Sequence, residues 1–508
     1  MSMAAIDISK LFLLFIVCTV SSAIIIHFAA NLVKFFRLVD RAGEGHKLHD
    51  INTPFVGGVG LLTTLAIAFI AMDFLNFQIP DNWYILGICS VILFVTGFID
   101  DTIRLSYKLR LLIQSAVAFI MIFNGDMIVN SLGNLLWFEP LELHWIIAVI
   151  FTTFAVIGSI NAVNMIDGMD GLSGSVSLAS LSLMFVVVLI ASDSNNLILI
   201  TALSGGLVGF LYYNLRYSSK RSARVFLGDN GSMLIGFIFA WLFIDISQGT
   251  NPAVTPVTVV WFFAIPLLDT LSVILRRLSL GQSPFHPDHL HLHHLFLRSG
   301  FFVTEITSII AFLHIFIGLI GLAGLYLKVN ENLMLLSFIL VFIIYLYLTL
   351  HPFRFISKLR CFRIALKARL GLAPAASYGT FCGYFNTNET ESLTKIVNEE
   401  LGPNTNFSIR IFEQTIARSN SEKYFAITLN IWLTKNDCIS EEQFKQQILL
   451  LQNRFEKKQG IQLRRLGARN KDSDLRVYTS GSPFGESQEV SRRSLGPQAL
   501  AFEITTKK

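Results

Sequence analysis

The sequence predicts an all-α polytopic membrane protein of about eleven transmembrane helices, N-terminus outside and C-terminus inside, followed by a small cytoplasmic α+β domain. Three observations carry that reading. Of 508 residues, 53% are hydrophobic and only 15% charged, with a mean hydropathy of +0.58. An ordinary soluble domain carries roughly 25% charged residues. Apolar runs long enough to cross a bilayer recur along the first 350 residues. Charge then divides the chain: 16 Lys+Arg against 20 Asp+Glu up to His351, and 24 against 15 beyond it. A soluble single-domain enzyme, a disordered chain and a disulfide-stapled module are excluded. The five cysteines, Cys18, Cys89, Cys361, Cys382 and Cys438, show no CxxC spacing and suit a reducing compartment.

The predicted spans run over 10–34, 55–74, 83–99, 108–124, 144–160, 172–191, 196–214, 231–247, 256–275, 303–327 and 332–350. The first is not read as a cleavable signal, because it lacks a basic leading segment and is followed by Lys34, Arg37 and Arg41. With the N-terminus outside, fourteen lysines and arginines fall in inner loops and only Lys10 and Lys328 in outer ones. The positive-inside bias therefore orients the chain, and an odd number of spans puts the basic tail in the cytoplasm.

After the last span, 353–375 alternates Phe, Ile and Leu with Arg354, Lys358, Arg360, Arg363, Lys367 and Arg369, as a basic amphipathic helix on the inner leaflet does. Residues 376–480 read as an accessory α+β domain: strand 379–385, helix 389–401, strands 407–414 and 423–434, helix 440–458, strands near 461–467 and 474–479. That order resembles a ferredoxin-like βαββαβ sandwich. The Ser-, Gly- and Gln-rich stretch 481–508 suggests a flexible tail.

The acidic residues carry the chemistry. Asp100-Asp101, Asp167, Asp170 and Asp229 stand at inner span ends among small and apolar residues. A charge at the bilayer centre costs on the order of 2.5–3.5 kcal/mol, so carboxylates near that boundary call for water, a cation or a cationic ligand. Four patches share this side: His46-Lys47-Leu48-His49 with Pro54 to Gly58; Asp100-Asp101 with Lys108 and Gln114; Asn161 to Gly171; and Phe226 to Ser232 together with Pro287 to His294. Physically these suit phosphoryl-type transfer at a membrane surface. Carboxylates and amides hold Mg²⁺, which bridges diphosphate oxygens, while lysines, arginines and histidines neutralise phosphate charge. Asp288 is placed to cap a short helix closed by Gly300, on which His291, His294 and Arg298 share a face.

Plainer readings exist for each piece. The Asp-Asp pair could be a solvated helix end, Gly57-Gly58 a packing contact, Asn161 and Asn164 partners for a broken helix, and the histidines a zinc site. No H-E-x-x-H is present, however, and it is the convergence on one face that favours a phosphate site.

With those motifs the chain resembles the polyprenyl-phosphate N-acetylhexosamine-1-phosphate transferase family across roughly residues 1–350. The resemblance rests on Asp100-Asp101, N-x-x-N-x-x-D-G-x-D-G from Asn161, F-x-G-D-x-G-S from Phe226, and Pro284 to Gly300. The H-x-H-H form at His291, His293 and His294 favours the GlcNAc-1-phosphate branch over the MurNAc-pentapeptide branch. The resemblance implies transfer of GlcNAc-1-phosphate from UDP-GlcNAc to undecaprenyl phosphate at the cytoplasmic leaflet of a bacterial inner membrane. It also implies a homodimer, contact with membrane lipids and no nucleic acid.

By the same resemblance Asp229 and Asn164 would ligate Mg²⁺ (Mn²⁺ as the alternative), with Asp167 and Asp101 close by. Asp100 would deprotonate or orient the lipid phosphate in a direct attack. Asp170 with Gly168 would read the uracil edge and Phe226 would stack on it. Lys47, His49, Lys108, His289, His291, His293, His294 and Arg298 would contact phosphates and sugar. One departure stands out: His289 occupies a position where the family commonly has an Arg, and a neutral imidazole is a weaker phosphate clamp. Two alternatives follow from the sequence, the same chemistry on another UDP-N-acetylhexosamine and a membrane transporter. The transporter predicts ionisable residues at mid-span, and every Lys and Arg before the tail falls in a loop.

Overall fold

The computed structural model describes residues 8–35, 53–75, 77–135, 139–217, 222–249, 251–283, 290–352, a few positions between 354 and 450, and five strands of the tail. The chain divides into two compact units: a helical one up to Phe355 and a second made chiefly of the residues from Ile356 onward.

In the first unit the helices are α1 (Ile8–Phe35), α2 (Gly57–Phe74), α3 (Asp81–Ile103), α4 (Tyr107–Gly125), α5 (Trp145–Ile166), α6 (Leu172–Ile190), α7 (Ser194–Asn214), α8 (Gly228–Ser247), α9 (Pro256–Phe262), α10 (Ala264–Ser279), α11 (Leu292–Arg298), α12 (Val303–Tyr326) and α13 (Glu331–Leu350). Among the described residues ten of these are long and apolar enough to cross a membrane, and the α9–α10 pair supplies up to one more crossing. Ten of the predicted spans coincide with one such helix each. Rows of exposed Phe, Ile and Leu along α1, α5, α12 and α13 give the unit a lipid-compatible exterior.

The ninth span departs from expectation. A continuous helix over 256–275 is replaced by α9 and α10, bent by 85° at Phe263. Pro266 explains the break. Lacking an N–H, it cannot bond the carbonyl four residues back, that of Phe262. The Ser180 hydroxyl of α6 donates to that carbonyl instead, at 2.9 Å. His314 of α12 completes the repair: its Nε2 lies 2.8 Å from the Ser180 hydroxyl and its Nδ1 accepts the Ile265 N–H at 3.4 Å. The Phe262 carbonyl and the Ile265 N–H, both released at the kink, thus find partners on neighbouring helices, as a low-dielectric interior favours.

At the centre stands α8, buried along nearly its whole length and packed on α2, α3 and α5. Its approach to α3 is allowed by Gly97, where an added Cβ would run into the backbone of Asp229 and Asn230. This contact brings the start of α8 against the end of α3, and so Asp229 against Asp100 and Asp101.

The second unit contains β1 (Ala376–Asn386), β2 (Asn406–Ile416), β3 (Lys423–Leu433), β4 (Arg464–Leu466) and β5 (Leu495–Thr505) in one antiparallel sheet of order β4-β1-β3-β2-β5. β1 to β4 fall on strands expected from the sequence, and β5 lies within the stretch whose composition suggested flexibility. The expected helices 389–401 and 440–458, the strand near 474–479 and most of 353–375 lie outside the described residues.

Candidate active site

The end of α3, the start of α4, the end of α5 and the start of α8 meet at one place and bring four acids together. Asp101 accepts the backbone N–H of Asp229 at 2.9 Å, that of Asn230 at 3.2 Å, and the Asn230 side-chain amide at 2.6 Å. It therefore caps the N-terminus of α8 from another helix, where an anion complements the helix dipole. Asn230 also donates to the Phe55 carbonyl at 3.1 Å. A Cβ at Gly58 would meet the Gly231 backbone nitrogen at 2.6 Å, so the packing reading of that glycine holds whatever else it does.

Asp229 receives a hydrogen bond from the Asn164 amide, whose nitrogen also reaches Ser232 Oγ at 2.9 Å. Asp100, beside it, is 5% exposed and bound by two donors: the Leu105 N–H at 2.6 Å and Arg110 Nη1 at 2.7 Å. The same Arg110 nitrogen lies 4.0 Å from Asp229. Arg110 thus stands between two acids as a built-in counter-cation, a role that the sequence reading passed over. Lys108, expected to contact phosphate and sugar, is exposed on the first turn of α4.

Asp167 follows directly on α5. Burial holds its carboxyl well above the usual carboxylate range, and the charges of Asp229, Asp101 and Asp170 push it further the same way. Among the described residues, Arg110 is the cation shown against Asp100 and Asp229. Among the described residues no three His, Cys, Asp or Glu side chains form a closed metal cage. Asp229 beside the amide of Asn164 is instead a partial set of hard oxygen donors. Mg²⁺ is characteristically bound by such a set, through one or two carboxylates plus water and phosphate oxygens.

The remaining residues divide. Asp170 is 4% exposed and its carboxylate holds Arg216 Nε at 2.6 Å and the Ala223 N–H at 3.0 Å, an engagement that ties the segment after α7 to the loop after α5. Phe226 is paired with the first loop: its N–H bonds the Pro54 carbonyl at 3.0 Å, its carbonyl accepts from Gly57 at 3.0 Å, and its ring leans on Phe55 with centroids 5.6 Å apart. Gly168 faces His293, whose Nε2 would stand 2.8 Å from a Cβ placed there. The histidine tract therefore lies against the loop that carries Asp167.

The short helix α11 begins later than expected. Its N-cap position is His291, and its first amide, Leu292, donates to Asp269 of α10 at 3.0 Å. The expected cap, Asp288, lies outside the described residues, as do Lys47, His49 and His289. Gly300, at φ +95°, follows the helix end as predicted. His291 and His294 have ring centroids 6.2 Å apart, and Arg298 is half-buried in the last turn. His291 gives Nδ1 to Asp269 at 2.8 Å, which removes that nitrogen from any zinc site.

Residues 83–247, from α3 to the end of α8, match the pattern of Glycosyl transferase family 4. The chain is 31% identical over 327 residues to the undecaprenyl-phosphate alpha-N-acetylglucosaminyl 1-phosphate transferase of Escherichia coli K12, covering 64% of this chain and 87% of that one. For the protein of the same name from Haemophilus influenzae the identity is 34% over 323 residues, 64% of this chain and 89% of that one. The chain belongs to this transferase family.

It is thus a multi-pass membrane enzyme. Within a family 4 transferase, the acids gathered around α8 fall inside the matched segment, whereas the histidine tract of α11 follows it. Two contributors escaped the sequence reading. Arg110 was visible only as a loop cation, and Asp269 only as a charge in an apolar run.

Proposed function

We propose that this enzyme transfers GlcNAc-1-phosphate from UDP-GlcNAc to undecaprenyl phosphate at the cytoplasmic face of a bacterial inner membrane, releasing UMP. The observation that carries the reading is the convergence of Asp100, Asp101, Asn164 and Asp229 at one end of the helical unit, in a chain whose relatives bear that transferase name. The excess of lysines and arginines in the loops on that side supports a cytoplasmic face.

In the proposed reaction an oxygen of the lipid phosphate attacks the β-phosphorus of UDP-GlcNAc. The new P–O bond forms as the bond to the bridging oxygen breaks, and that oxygen leaves with UMP. Asp229 and Asn164 would hold Mg²⁺, with Asp167 nearby. Bound there, the ion supplies Lewis-acid neutralisation of the diphosphate charge.

The chain's own groups do the rest. Asp100, held in one orientation by Arg110 and the Leu105 N–H, would orient the attacking phosphate and take its proton where it carries one. Arg110 would move its charge towards phosphate oxygens as they approach. Asp101 fixes the first turn of α8, and through it the place of Asp229. Phe226 and Phe55 offer aromatic surface to a base, and the α11 histidines with Arg298 face the sugar phosphate.

The test is a transfer assay with purified protein, undecaprenyl phosphate and MgCl₂, offering UDP-GlcNAc and UDP-GalNAc in parallel. Lipid-linked sugar phosphate and UMP from UDP-GlcNAc are expected. Product from UDP-GalNAc alone would move the specificity, and no UMP from either sugar would overturn the reading.

A further inference from the structure

Apart from the acidic cluster, a second buried carboxylate organises the histidine tract. Asp269, on the second turn of α10, is 2% exposed and collects three donors. These are His291 Nδ1 at 2.8 Å, the Leu292 N–H at 3.0 Å and the Tyr345 hydroxyl of α13 at 2.7 Å. The bond to Leu292 is a helix cap, for which a neutral Asn or Ser would serve as well. A full carboxylate in that position needs a further reason, because a buried charge is costly unless each of its contacts is satisfied.

The other two bonds supply the reason. Tyr345, Asp269 and His291 form a chain from α13 through α10 to the start of α11, and the chain ends on an imidazole. His293, stacked against His291 with centroids 5.6 Å apart and planes inclined by 8°, lies against Gly168 in the loop of Asp167. Among the described residues, Asp269 faces His291 on one side, with Tyr345 and Arg276 behind it, and the rings of His293 and His294 lie on the other.

We propose that Asp269 is a positioning residue for the transfer: it accepts Nδ1–H of His291 and so fixes the ring's tautomer and the direction in which Nε2 meets the nucleotide sugar. Tyr345 is the strut that keeps the carboxylate in place. A carboxylate behind a histidine fixes which nitrogen carries the proton and how the ring is turned. The catalytic contact belongs to His291, and Asp269 acts through it. The inference rests on the function proposed above for its phosphate, though not for the pairing itself.

The experiment uses the full chain in detergent, with ¹⁵N-histidine labelling and His291 assigned by comparison with His291→Gln. In the wild type Nδ1 of His291 should carry the proton that Asp269 accepts. In Asp269→Asn the amide would donate to Nδ1, which moves the ring proton to Nε2. In parallel, kcat of Asp269→Asn should fall about 10²-fold, the scale for loss of one preorganised hydrogen-bond contact, with KM for the nucleotide sugar nearly unchanged. Asp269→Asn added to His291→Gln should cost nothing further, since the partner is already gone.

Unchanged His291 resonances in Asp269→Asn, or losses that multiply in the double variant, would overturn the proposal in favour of a plain helix cap. Should Asp269→Asn fail to fold, Tyr345→Phe carries the test, because it keeps both the cap and the carboxylate. A several-fold loss of kcat with shifted His291 resonances is expected there, and wild-type values in both would overturn the chain of contacts. A wild type that makes no product would sink the proposed function, while the ¹⁵N signals would still decide whether Asp269 holds the imidazole.

Discussion

Asp101 bonds Asn230 twice, through its backbone N–H at 3.2 Å and its side-chain amide at 2.6 Å, and so clamps the first turn of α8 to the last turn of α3. A carboxylate in this position does the work of a helix cap, whose loss typically costs about 0.5–2 kcal/mol. Asp101→Ala should therefore lower both the melting temperature and the turnover. Asp229→Asn, which removes a charge from a crowded cluster and breaks no cap, should abolish turnover and leave the melting temperature at or above that of the wild type. Thermal unfolding in detergent beside the transfer assay checks this. Equal stability losses in the two variants would refute the division of roles.

Arg110 and Lys108 separate in the same way. Arg110 touches Asp100 at 2.7 Å and approaches Asp229 at 4.0 Å, whereas Lys108 is exposed. Arg110→Ala should lower kcat by about 10²-fold or more, the usual scale for one electrostatic contact at a reacting phosphate. Lys108→Ala should lose less than about tenfold and act mainly on KM, as a remote solvated charge does. The reverse ranking in steady-state kinetics would show that Arg110 is only a counter-ion to the resting protein.

The spans were legible because a bilayer demands length and apolarity, which a sequence carries openly. The break at Phe263 was legible in principle: Pro266 sits ten residues into the predicted span, where its missing N–H has to leave a carbonyl open. Four acids of the site could be read from their place at span ends. Their division of labour could not, since Asp101 and Asn230 are 129 residues apart and their pairing depends on how α3 meets α8. Asp269 shows the same limit. In sequence it is one acid in an apolar run, and only the turn at Phe263 brings it to His291, 22 residues on.

The acids also predict how pH and a divalent cation interact. Burial, with the charges of Asp229, Asp101 and Asp170, holds Asp167 well above the usual carboxylate range, while the unfolded chain ionises it near about 3.9. Between those values the folded protein keeps a proton that the unfolded chain releases, so this group's contribution to stability falls as pH rises through the window. A cation beside Asp167 favours the ionised form and competes with that proton. Saturating MgCl₂ should therefore raise the melting temperature more at about pH 8 than at about pH 6, and the Mg²⁺ concentration for half-maximal rate should rise as pH falls. An identical thermal shift at both pH values would remove Asp167 from the cation site.

Gly97 gives the most direct test of how the scaffold sets the chemistry. An added Cβ would meet the backbone of Asp229 and Asn230 themselves, which cannot turn aside as a side chain can. Gly97→Ala must push α8 away from α3, stretch the bonds to Asp101 and move Asp229. Overpacking of this kind costs about 1–3 kcal/mol, and a shift of about 1 Å in a catalytic group can cost about 10² in rate. Gly158→Ala on α5 is the matched control, because nothing lies within 4 Å of its added methyl group. Alanine there should be neutral or slightly stabilising, since it forms helix better than glycine by about 1 kcal/mol. Loss of activity in Gly97→Ala with wild-type activity in Gly158→Ala would tie turnover to the α3–α8 contact. Wild-type activity in both would show that α8 can shift without displacing Asp229.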